Sequence, residues 1–189
     1  MSTNCSIAQL VRMDASFMGN DFGTQTGLLM SPAVFRAFFR PWNARFAAQA
    51  HAHGYVLAPH SCGAISEHID EPTAAGVDCQ RHMLTRAKGM VPADQAARFG
   101  SRLVFMGGVD TQDLLVHSTS AEVTAALREL RRACAERIIV GPSHKAMLPN
   151  TQPANVVAMV AATRVPLASD PVAHHGLKKR TFSDVVKNQ

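Results

Sequence analysis

The segment Tyr55-Val56-Leu57-Ala58-Pro59-His60-Ser61-Cys62-Gly63 carries the clearest chemical pattern in the chain. It reads as a short apolar strand ending in His-Ser-Cys-Gly. Side chains alternate across a strand, so His60 and Cys62, two apart, share a side. An imidazole and a thiolate side by side are ligands for a soft metal such as zinc. The competing reading makes Cys62 a small buried hydrophobe and His60 its hydrogen-bonded neighbour. Spacing alone leaves both open.

Two aspartates are further candidates. Asp21, in Asn20-Asp21-Phe22-Gly23, either faces a pocket mouth or caps a turn. Asp110, after Gly107-Gly108, either orients a ligand or a metal-bound histidine or is a turn aspartate. The Asp-Phe-Gly triplet is not a kinase signature, because no glycine-rich phosphate loop, VAIK or HRD accompanies it. His51 and His53 lie two apart near a helix end and do not share a face. His82 and His117 have no partner in sequence, and His174-His175 fall in a polar tail.

The elements that would position these groups alternate. Ser31-Pro32 opens a helix, serine as N-cap and proline at its first position. Phe35, Phe38, Trp42 and Phe46 recur at helical spacing and are expected in the core, with Pro41 kinking or splitting the helix. Strand Tyr55–Pro59 follows, then a short helix around residues 64–75, and a strand starting near Val77. A helix over Pro92–Phe99 leads to an apolar strand, Arg102–Gly107. The capping box Thr119/Glu122 starts a helix with Val123, Leu127, Leu130 and Cys134 on one face. Strand Arg137–Gly141 and a last helix from Pro153 through Met159 complete the pattern. With a weak strand before Asn20, this predicts about five strands in parallel βα units. The polar, glycine-rich segments follow strands, where a (β/α) barrel places its chemistry.

The chain has 189 residues, 47% hydrophobic and 17% charged, with net charge +5 and pI about 9.4. That is a globular composition. The basic residues cluster without interleaved aromatics, which argues against nucleic acid. No apolar run approaches the roughly 20 residues that span a bilayer, so no membrane role is expected. Cys5, Cys62, Cys79 and Cys134 form no CxxC pair, and no signal-like segment opens the chain. A reducing, cytoplasmic setting is the expectation.

Asn20-Asp-Phe-Gly-Thr-Gln-Thr-Gly-Leu-Leu-Met-Ser-Pro32, His60-Ser-Cys-Gly63, Met106-Gly-Gly-Val-Asp-Thr-Gln112 and Gly141-Pro-Ser-His144 occur in this order. Together they resemble the uroporphyrinogen decarboxylase superfamily, which holds the haem-pathway decarboxylase and the cobalamin-dependent methyltransferases. The resemblance implies an α/β fold, a partial (β/α)8 TIM barrel of about the last five βα units. Residues 1–165 would form this part and 166–189 a poorly ordered tail. A complete barrel has eight strands and typically ~250 residues, so about three units are wanting.

His60-Ser-Cys62 is more like the methyltransferase branch, in which a His-x-Cys pair and a later cysteine hold zinc. His144 stands near that later position, so the resemblance implies His60, Cys62 and His144 as zinc ligands. The substrates would be a thiol and a corrinoid or methylated donor. The decarboxylase branch implies instead that His144 and Thr24 contact a tetrapyrrole, uroporphyrinogen III, on the way to coproporphyrinogen, without a metal. The aspartate and arginines which that branch uses lie in the part not matched here. A third possibility is a non-catalytic half-barrel, a remnant or a split subunit. Its open edges would call for a partner, either an N-terminal half-barrel chain or a second copy. Relatives carry an Asn-Pro-x-Gln-like stretch where this chain has Cys79-Gln-Arg-His-Met-Leu-Thr85, a departure that leaves one pocket wall unassigned.

Overall fold

The computed structural model describes residues 14–135 and 137–167. Five strands form one parallel sheet in the order β1–β5: β1 (Ala15–Gly19), β2 (Val56–His60), β3 (Cys79–Met83), β4 (Val104–Val109) and β5 (Ile138–Pro142). The connecting helices are α1 (Pro32–Phe38), α2 (Arg40–Ala52), α3 (Asp70–Ala74), α4 (Pro92–Phe99), α5 (Leu114–His117), α6 (Ser120–Ala133) and α7 (Pro153–Thr163). Sequential strand order with every pair parallel means that all crossovers wind the same way, as in a barrel wall. A doubly wound sheet would reverse direction. The fold is α/β, a partial (β/α)8 barrel. No helix among the described residues is long and apolar enough to cross a membrane. The expected tail lies, apart from Pro166 and Leu167, outside the described residues.

Two faces of the sheet are buried. Leu57, Met83 and Phe105 join the large core under the helices, with Phe35, Ile69, Phe99, Val123 and Leu127. Val56, Ala58, Cys79 and Val104 alternate to the other face and form a second cluster. Burial on both sides explains why β2 and β4 read as continuous apolar runs.

The seam between β2 and β3 is unusual. Pro59 has no N–H to contribute to a ladder, and the two strands share a single register pair, His60 with Arg81. Side chains reinforce the seam. Asp78 accepts from the Leu57 amide at 2.8 Å, and Gln80 donates to the Ser61 carbonyl at 3.0 Å. Between Arg81 and Met83 the pairing of β3 with β4 slips by one residue.

The helix caps follow the sequence. Ser31 accepts from the Val34 amide, and Thr119 and Glu122 form the expected reciprocal box. The helix is split ahead of Pro41, between Phe38 and Arg40. The aromatic stripe is corrected. Phe35 is fully buried, but Phe38, Trp42 and Phe46 are 68%, 50% and 40% exposed. Asn43, Ala47 and Ala50 are the residues that α2 buries. The i, i+4, i+8 row of aromatics therefore lies beside the packed face, not on it.

Candidate metal and thiol site at the strand ends

His60 is the last residue of β2, and Cys62 follows two residues later. Their side chains meet, with His60 Nε2 3.5 Å from Cys62 Sγ. A third group joins them. His82, on β3, places its Nδ1 2.8 Å from His60 Nδ1. His60, Cys62 and His82 are all buried, and one ligand atom of each lies within 4.8 Å of the others. Strict alternation from Cys79 would send His82 to the helix side with Gln80. The slip after Arg81 re-aims it, which is the usual effect of a bulge.

Asp21 closes the group from the loop after β1. Its Oδ1 lies 3.0 Å from His60 Nε2 and accepts the Cys62 amide hydrogen at 2.9 Å. Several contacts hold this loop against the β2 loop, among them the backbone bonds from Asn20 to His60 and from Ala64 to Thr24. The Phe22 amide donates to Ser61 Oγ at 3.1 Å. Gly63, at φ +100°, lies so close to Gly23 that a Cβ there would be 2.3 Å from the Gly23 carbonyl carbon. Only glycine accepts both the backbone angle and the approach.

Burial dominates the electrostatics. It lowers the pKa of His60 below 6.5, with Asp21 opposing. His82 is lowered to about 4, by burial first and then by Arg81, His60, His144 and Lys145. Burial also raises the Cys62 thiol to about 11, with Asp21 adding to the rise and Lys145 and Arg81 opposing it. At neutral pH the site therefore offers two uncharged imidazoles and a protonated thiol. Neutral imidazoles have lone pairs free for a cation, and a bound cation would ionise the thiol and release its proton. Two nitrogens and one sulfur at this separation are the donor set of an open zinc site.

The other sequence-predicted residues do not join these three, although His144 is near enough to His82 to act on it electrostatically. His144 is exposed, with Nδ1 accepting the Ala146 amide at 3.4 Å, and it is not one of the three converging groups. Thr24 is exposed, and its Oγ1 is engaged in a local turn with Thr26 and Gly27. Asp110 accepts from the amides of Gln112, Asp113 and Leu114 and pairs with Arg86. These are the bonds of a turn aspartate that starts α5. His51 pairs with Asp78 at 2.8 Å, a structural contact. His82 was not singled out by spacing. The signal for it was present: it falls at a strand end, in the stretch that departs from the expected Asn-Pro-x-Gln pattern.

The profile of the uroporphyrinogen decarboxylase (URO-D) family matches residues 7–165. The chain belongs to that family. Among solved structures, a methyltransferase from Methanosarcina mazei is similar in fold, with a TM-score of 0.63 at 20% identity. The match covers 80% of this chain and 42% of that one, so the chain spans less than half of that methyltransferase's length. No curated protein matches the chain. The family match includes the loops bearing Asp21, His60 and Cys62, and the likeness to the methyltransferase supports the barrel-wall fold.

Near the site, His68 is buried between Phe22 and Phe35, 4.1 Å from the Phe35 ring centroid, and neither ring nitrogen has a hydrogen-bond partner. Burial lowers its pKa below 6.5 against a weaker opposing pull from Glu71. The unfolded chain takes up this proton as pH falls through about 6.5, while the folded chain resists. Stability is therefore lost on acidification below that value, until the folded-state pKa is passed. In urea unfolding of the metal-free protein, His68→Phe is expected to make the decline between pH 7 and 5 shallower. Equal slopes for the two proteins would contradict this role for His68.

Proposed function

We propose that this chain is part of a zinc-assisted methyltransferase that moves a methyl group from a corrinoid or another methylated donor to a thiol. The observation that carries the reading is the convergence of His60, Cys62 and His82 at the C-terminal ends of adjacent parallel strands. In (β/α) barrels, chemistry is built at that end. The URO-D family membership supports a small-molecule enzyme, and the Methanosarcina mazei methyltransferase supplies the reaction type adopted here.

A bound zinc would lower the pKa of a substrate thiol so that a thiolate is present at neutral pH. His60, Cys62 and His82 would hold the ion and leave one position open to the substrate. In the transfer, the new S–CH3 bond forms as the donor–CH3 bond breaks. The donor keeps the electron pair, and the thiol proton leaves to solvent. Asp21 orients His60 and the Cys62 backbone. Arg81 sets its guanidinium 4.9 Å over the Phe17 ring and keeps positive charge at the rim.

The reading includes a partner. Among the described residues, β1 and β5 each pair with one neighbour, and a closed barrel leaves no such edges. Further βα units, from another chain or a second copy of this one, would complete the wall.

Elemental analysis of the purified chain tests the reading. Close to one zinc per chain is expected, falling at least tenfold in Cys62→Ser. Absence of bound zinc after reconstitution of the wild-type chain would sink the proposal.

A further inference from the structure

We infer that the Trp42/Phe46 flank of α2 is a docking face for three parallel βα units that lie beyond these 189 residues, and that a second copy of this chain does not take their place. This rests on the partner proposed above and not on the metal.

An α-helix turns about 100° per residue. On α2 the buried line runs through Asn43, Ala47 and Ala50. Arg40 and His51 fall to one side of that line. Arg40 meets Glu71 of α3 at 3.7 Å, and His51 meets Asp78, just ahead of β3, at 2.8 Å. That flank therefore faces the next βα unit. Trp42 and Phe46 fall to the other side, toward the open edge at β1. There the outer ring of a barrel places the helix of the preceding unit. Aromatic side chains are enriched at protein–protein interfaces, and here they stand beside a strand edge that has no neighbour among the described residues. The far edge is apolar too: α7, after β5, exposes Val157 and Val160.

The number of strands selects the occupant. The described sheet has five, and eight close a (β/α) barrel, so three more are needed. A second copy would add five and leave two in excess. One body of three units reaches both edges at once, meeting α2 on one side and α7 on the other. The chain spans 42% of the Methanosarcina mazei methyltransferase, which leaves length for such units.

Photo-crosslinking from the full chain in its native cell tests this without zinc or catalysis. Phe46→p-benzoylphenylalanine should give one dominant adduct. Mass spectrometry should map it outside these 189 residues, to a helix in sequence that alternates three strands with three helices. Ala44→p-benzoylphenylalanine, on the flank that faces α3, should not give that adduct. Both positions are exposed, so neither substitution hollows the core. Those units, produced as a separate polypeptide and added to the purified chain, should move the emission of Trp42, its one tryptophan, to the blue. Phe46→Lys should weaken that complex about tenfold. An adduct with residues of this chain, in the same or a second copy, would overturn the inference. So would an adduct with a protein that lacks βα units, the absence of any adduct, or wild-type affinity in Phe46→Lys. None of these outcomes depends on bound zinc, so the metal reading and this inference fail separately.

Discussion

The site depends on the meeting of two imidazoles across a seam of a parallel sheet. His60 ends β2, and its register partner on β3 is Arg81. A regular strand would carry His82 to the helix side. The slip between Arg81 and Met83 turns His82 toward His60 instead, and turns Met83, which alternation would place with Cys79, into the core beneath the helices. One irregularity thus serves both packing and chemistry. On the other side of β3, Asp78 and Gln80 bond to Leu57 and Ser61 and tie it to β2 beyond the short ladder.

Burial then sets the chemical character of the group. It keeps both imidazoles uncharged at neutral pH and keeps the Cys62 thiol protonated. A buried site of this kind discriminates by charge: a proton is held weakly on nitrogen, whereas a divalent ion gains two lone pairs and ionises a thiol. Arg81 and Lys145 oppose a cation, and Asp21 favours one. The placement of Asp21 against both His60 and the Cys62 backbone puts that favourable charge where the ligands converge.

Much of this was legible in the amino-acid order. The alternation of apolar runs with capped helices located all five strands to within a few residues. Ser31-Pro32, Pro41 and the Thr119/Glu122 box marked helix boundaries that the structure reproduces. The His60/Cys62 pair was visible because both groups belong to one strand end. His82 was not, because its contact with His60 depends on a register slip that no local spacing encodes. The aromatic row misled for a related reason. Phe38, Trp42 and Phe46 have helical spacing, but which face of a helix is buried depends on the neighbouring elements. Asp21 and Asp110 both follow strands, and only tertiary structure separates them: one reaches across to His60, the other is used up in its own turn.

The most direct test of the central claim is X-ray absorption at the zinc edge on the reconstituted chain. The expected first shell holds one sulfur at about 2.3 Å and two imidazole nitrogens at about 2.0–2.1 Å, with one light atom at the open position. A shell made of light atoms alone, with no sulfur, would contradict a site built on His60, Cys62 and His82.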